Sequence, residues 1–120
     1  MPSTSNDQDT VKGRGGLEPA QKQNLASLVS YQSGSVVSRT IINRKAGTMT
    51  IFAFDEGEGL SEHTAPYDAF LRVIEGEAQV TGSSERYEVK EGEAIVLPSG
   101  RPHALRATKR FKMLLTMIRA

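Results

Sequence analysis

The chain contains no cysteine and no tryptophan, and only two of its 120 residues are histidine. Without cysteine there is no disulfide framework, no thiolate metal site and no cysteine nucleophile, so the fold rests on its own apolar core and is indifferent to redox surroundings. Aromatic residues make up only 6% of the chain, and no basic stripe is interleaved with them. Nucleic-acid binding therefore lacks both its stacking platform and its phosphate contacts. Charge of neither sign dominates, since 15 basic and 14 acidic residues leave a formal net charge of +1. The one local excess, Arg101, Arg106, Lys109, Arg110 and Lys112, reads as the solvated face of a strand and turn. No stretch approaches the roughly 20 apolar residues of a membrane span, and the N-terminus lacks the apolar run of a secretory signal. A cytoplasmic protein without nucleic-acid or membrane partners is expected.

What is present fits one domain, because a chain of this length buries a single core unaided. Residues 1–16 are polar and end in Gly13, Arg14, Gly15 and Gly16; ordering them would cost backbone entropy with no burial in return, so a disordered tail is expected. Residues 17–35 form an N-terminal segment. Within it Pro19 can open a helix and Leu25, Leu28 and Val29 follow at helical offsets, so a short helix or an extended edge segment is expected.

From Val36 the apolar period changes to two. β-branched and aromatic residues arrive in short runs bounded by turn residues: Val36 to Ile42, Thr48 to Phe54, Leu60 to Thr64, Ala69 to Ile74, Ala78 to Val80, Tyr87 to Val89, Ala94 to Leu97, His103 to Ala107 and Phe111 to Ile118. Ala46-Gly47, Thr81-Gly82-Ser83-Ser84 and Pro98-Ser99-Gly100 supply the positive-φ or fixed-φ residues that tight connections need. The triplet Glu-Gly-Glu recurs around Gly57, Gly76 and Gly92 at irregular spacing, and is read as a recurring strand-junction turn rather than a solenoid repeat. Nine short strands over residues 36–119 imply an all-β sandwich or barrel.

The two histidines sit in frames of glycine and proline. One frame runs Gly57, five residues, His63, one residue, Ala65, three residues, Ala69, six residues, Gly76; the other runs Gly92, five residues, Pro98, Ser99, Gly100, two residues, His103, three residues, Ala107. These frames resemble the two motifs of the cupin superfamily, G-x5-H-x-H-x3,4-E-x6-G and G-x5-P-x-G-x2-H-x3-N, over roughly residues 36 to 118. The chain is similar to small single-domain cupins of the cupin 2 conserved-barrel type, with an incomplete metal motif. Ala65 stands where the pattern has its second histidine, Ala69 where it has glutamate, and Ala107 where it has asparagine. The resemblance implies a cupin jelly-roll barrel (double-stranded β-helix), a homodimer, and a divalent transition metal (Zn, Fe, Mn or Ni) at His63 and His103.

Strand parity extends this to a pocket. With His63 inward, Ala65 shares its face, as do Ala69, Leu71 and Val73, while Phe70, Arg72 and Ile74 face away. The same parity gives Leu105 and Ala107 beside His103, and Met113, Leu115 and Met117 on the last strand. The expected pocket is therefore His63, Ala65, Ala69, Leu71, His103, Leu105 and Met113, a small apolar lumen with two imidazoles at its mouth. Two imidazoles hold a divalent ion weakly, and Asp68 becomes the best substitute carboxylate only if its turn is bulged. Arg72 on a central strand suits an ion pair at a dimer face or an acidic ligand. Three function classes follow: a barrel binding a small organic acid or sugar-like ligand, a metal-dependent dioxygenase, isomerase or lyase, and a barrel kept for assembly. The first is preferred, because alanine at 65 and 69 opens room where metal ligands would stand.

Overall fold

Apolar residues at every second position, interrupted by glycine and proline, produce eight strands in the computed structural model, which describes residues 19–82 and 84–119. They are β1 (Val36–Arg44), β2 (Gly47–Phe54), β3 (Gly59–His63), β4 (Asp68–Gly82), β5 (Glu85–Lys90), β6 (Ala94–Leu97), β7 (His103–Arg106) and β8 (Phe111–Ile118). The tail expected over residues 1–16 lies outside the described residues. All pairings are antiparallel, and the sheet runs β1-β2-β8-β4-β7-β3, with β5 and β6 also on β4. The result is the expected all-β cupin jelly roll, curled into a half-barrel.

One strand belongs to both halves. The first part of β4 pairs with β6 and β8, and its last part with β5 and β7. This corrects the sequence reading, which divided it into Ala69 to Ile74 and Ala78 to Val80 with a Glu-Gly-Glu turn between them. Gly76 does not end the strand. Its φ of +79° accompanies a register shift between Val73 and Glu75, so the glycine bends a continuous strand around the core instead of reversing it. The other two Glu-Gly-Glu glycines, Gly57 and Gly92, do sit in turns.

Alternation along β4 buries Ala69, Leu71 and Val73 and leaves Phe70 and Arg72 exposed. The inner face meets Phe54, Phe111, Met113, Val80 and Leu105 in the main core. Register places Phe54 opposite Phe111, and their rings stack at 4.5 Å and 11°. Such a pair adds about 0.5–1.5 kcal/mol beyond its burial.

A second cluster lies on the other face of the β1-β2-β8 sheet, where Val29 joins Ile41, Ile51, Ala53 and Leu114, with Leu25, Leu28 and Tyr31 packed alongside. The N-terminal segment is therefore a strap. Its helical content is a four-residue 3₁₀ turn, Leu25–Leu28, capped by the Asn24 side chain accepting from the Ala26 N–H at 3.0 Å; Pro19 opens no helix but lies in a turn. The apolar offsets that suggested a short helix serve packing onto the sheet. Polar contacts pin the strap: the Tyr31 hydroxyl donates to Glu75 at 2.6 Å, Lys112 donates to the Ala26 carbonyl, and the cations of Arg110 and Lys112 lie 5.1 and 5.0 Å from the Tyr31 ring centre. Asp55 accepts from Gly34 N–H at 2.7 Å and from Arg110 Nε at 2.8 Å, which ties the start of β1 to the start of β8.

Candidate functional site

β3 and β7 lie side by side with His63 opposite His103 and Leu60 opposite Leu105. Three residues on β3 thus span two on β7, and the register shift lets both Leu60 and His63 present to the same side despite their odd separation. The imidazoles meet edge to face, with ring centres 4.6 Å apart and an interplanar angle of 68°. His63 is exposed and His103 is 8% exposed.

Each ring is fixed by a backbone carbonyl two residues before it. His63 Nδ1 lies 2.9 Å from the Ser61 oxygen, and His103 Nδ1 lies 3.2 Å from the Arg101 oxygen. A carbonyl oxygen only accepts, so the hydrogen-bond network assigns the proton of each neutral ring to Nδ1 and leaves the lone pair on Nε2. Neither Nε2 has a protein partner among the described residues. Gly82 completes the arrangement. It stands opposite His103 on β4, the other neighbour of β7, and contributes no side chain there. Sequence reasoning took Gly82 for a turn residue and missed this role, because the pairing of β4 with β7 links positions far apart in the chain.

The remaining expected pocket residues take different places. Leu71 and Met113 are fully buried in the main core, with Ala69 and Leu105 nearly so. They form a packed floor instead of the wall of an open lumen, since Phe54 and Phe111 fill the space between the sheet halves. Ala65 lies beyond the end of β3, where its carbonyl accepts from Gly100 N–H at 2.9 Å; the two-residue parity from His63 stops with the strand. Asp68 is exposed on β4, and its Oδ1 accepts from Ser99 N–H at 2.8 Å. It caps a turn and does not join the histidines.

A transition-metal centre normally takes three or four protein donors. Among the described residues no three His, Cys, Asp or Glu side chains come together. The pair supplies two nitrogens, alanines occupy the other two motif positions, and Asp68, the substitute carboxylate the sequence suggests, is engaged with Ser99 N–H. These residues do not fit a metal centre of the kind the cupin motifs describe.

Burial, and after it the charge of His63, push the pKa of His103 below its ordinary value of 6.5. Between the two pKa values the unfolded chain binds a proton that the folded one refuses. Stability is therefore unaffected by this group well above pH 6.5 and falls as the pH drops below it. Urea unfolding midpoints measured from pH 7.5 to 5 are expected to decline more steeply in the wild type than in His103→Gln. Asp55 does not blur the comparison: hydrogen bonds from Arg110 and the Gly34 N–H hold its carboxyl at about 2, so the stability it contributes is lost only in stronger acid.

Comparison with known proteins gives a consistent family. The family model described as cupin domain matches residues 50–118. A conserved protein of unknown function from Streptococcus pyogenes is 33% identical, with a TM-score of 0.85, covering 96% of this chain and 98% of its own. A cupin 2 conserved barrel domain protein from Leptotrichia buccalis is 41% identical, with a TM-score of 0.78, and the match covers 81% of this chain and 47% of that one. A salicylate 1,2-dioxygenase variant from Pseudoaminobacter salicylatoxidans shares the fold at 16% identity, with a TM-score of 0.66, over 72% of this chain and 27% of its own. No curated protein matches the chain.

Proposed function

The chain belongs to the cupin domain family, and we propose that it binds a small hydroxyl-bearing organic molecule, a sugar or hydroxy acid, against the paired imidazoles of His63 and His103. The observation that carries this reading is the ring pair itself, at 4.6 Å, with both Nδ1 atoms committed to carbonyl oxygens. Two neutral rings held this way offer two Nε2 acceptors side by side, and hydroxyl groups are the donors that satisfy them. A bare carboxylate would face two lone pairs, so the acidic end of a hydroxy acid turns away from the rings. Gly82 leaves room beside His103, while the packed floor of Leu71 and Met113 keeps the ligand at the mouth. A divalent ion at the pair is held only weakly, by two nitrogens.

Because the chain has only two histidines, nitrogen-15 spectra of its imidazoles resolve both rings without ambiguity. Titration with D-ribose, D-glucose and malate is expected to shift both Nε2 resonances with at least one of them. His63→Ala and His103→Ala are each expected to weaken that binding about tenfold, the scale of one lost hydrogen bond. If neither ring responds to any probe, the reading fails. The alternative, a metal-dependent enzyme acting on a small organic substrate, has the dioxygenase fold likeness behind it but needs donors that the site lacks. Near one equivalent of metal in protein purified without chelator would favour it.

A homodimer is the second part of the proposal, supported by the outer face of the β1-β2-β8-β4-β6 sheet. Register runs Ile42, Met49, Thr116, Phe70 and Val96 across its five strands, and Ile42, Phe70 and Val96 are 46%, 44% and 58% exposed where the strap does not reach. On β4 this face reads Asp68, Phe70, Arg72. A two-fold axis near Phe70 sets each copy's Asp68 against the other's Arg72, so the patch is complementary to itself. Sedimentation is expected to give a dimer for the wild type and a monomer for Phe70→Asp; a wild type that stays monomeric at all attainable concentrations would refute it.

A further inference from the structure

The sheet half that carries the histidines has an outer face, and a shallow, open groove of about 460 Å³ runs across it; Ala104 and Arg106 in its lining alternate with His103 along β7, which puts it on the side away from the imidazoles. Its polar lining is Ser61 from β3, Gln79 and Thr81 from β4, Arg86 from β5 and Arg106 from β7, and no carboxylate lines it. In a chain with nearly equal numbers of acids and bases, two guanidiniums without an acid between them make a local positive field.

Register fixes how they stand. Thr81 pairs with Arg86 on one side and with Ala104 on the other, and Gln79 pairs with Arg106. The arginines therefore flank β4 from opposite sides, offset by two residues, which puts their Cα atoms about 12 Å apart. Side chains of that length converge over Thr81 and Gln79 and leave space for a ligand of a few carbon atoms. The small Ala104 side chain, half-buried in the floor, keeps the space open. Neither arginine forms an ion pair with a described residue. Glu88, beside the groove and opposite Gln79, feels the charge of Arg86 and shares a hydrogen bond with Glu77, which raises its pKa.

We propose that this groove is a second binding site, taking a small organic dicarboxylate with one carboxylate on each guanidinium and the Thr81 hydroxyl donating between them. Guanidinium forks match carboxylates in a two-point fashion that point charges do not. The site is independent of the histidine pair, which opens on the opposite face of the same sheet.

Calorimetric titration of the full chain with succinate at low ionic strength tests it. Binding is expected, with affinity lowered about tenfold or more in Arg86→Ala and in Arg106→Ala. Ala104→Leu, which keeps both charges and fills the floor, is expected to lose binding, and His103→Ala to retain it. Propionate, with one carboxylate, and inorganic phosphate, too compact to span the arginines, are expected to bind at least tenfold more weakly than succinate. Four results would overturn the proposal: no heat with succinate, wild-type affinity in Ala104→Leu, propionate or phosphate binding as tightly as succinate, or loss of succinate binding in His103→Ala alone among the variants.

Discussion

Replacing Ala65 by histidine and Ala69 by glutamate together is expected to raise affinity for zinc by at least about 100-fold. Even an outer partner of a metal ligand is worth about 10–100-fold in affinity, and this change supplies two direct donors. Histidine and glutamate at these two positions complete the first cupin motif, next to an imidazole pair already held at 4.6 Å by carbonyl oxygens. The glutamate carries a cost. Ala69 is 6% exposed, between Leu97 and Met117, so a carboxylate there without metal lowers stability by roughly 1–3 kcal/mol. Zinc should restore it, because a ligand bound only by the folded state raises the unfolding temperature. The double variant should therefore melt lower than the wild type without zinc and gain markedly on its addition, while the wild type changes little. A wild type that gains as much as the variant would mean that His63 and His103 already belong to a complete centre.

Gly76→Ala is expected to destabilise the protein by about 2–5 kcal/mol, the largest effect of any single-methyl change considered. Two costs combine. The φ of +79° penalises any L-residue by about 1–2 kcal/mol. The added Cβ would also lie 2.3 Å from the Arg110 carbonyl oxygen and 3.0 Å from Phe111 Cα, and overpacking against backbone costs about 1–3 kcal/mol more. Gly92→Ala is the control, since its φ is +85° but nothing lies within 4 Å of the new methyl. It should lose only about 1–2 kcal/mol. In thermal unfolding the first variant should fall on the order of 10 °C or more, and clearly below the second. Equal losses would show that backbone conformation alone matters at Gly76 and that β4 does not press against the start of β8 there.

The consequence for the site is direct. The bend at Gly76 lets one strand pair with β8 before it and with β7 after it, and the second pairing sets Gly82 beside His103. A change at residue 76 thus reaches the imidazoles through backbone register. Gly76→Ala should therefore also broaden the His103 ring resonances, whereas Gly92→Ala should not.

The sequence by itself determined the fold class, the alternation that buries Leu71 and Met113 while exposing Phe70 and Arg72, and the facing of two distant histidines within the cupin frame. These are consequences of short-range chemistry: side chains alternate at a period of two, and glycine and proline mark the ends of runs within a few residues. Only the tertiary structure decided that Gly76 bends a strand instead of ending it, that the offset between Leu60 and His63 turns both to one side, that Ala65 falls beyond the end of β3, and that the Asp68 carboxylate caps a turn. It also decided that the interior is a packed floor and that two arginines from different strands flank one groove. Each of these depends on which strands pair and in what register, and that is set by contacts between residues far apart in the chain, where no local pattern leaves a trace.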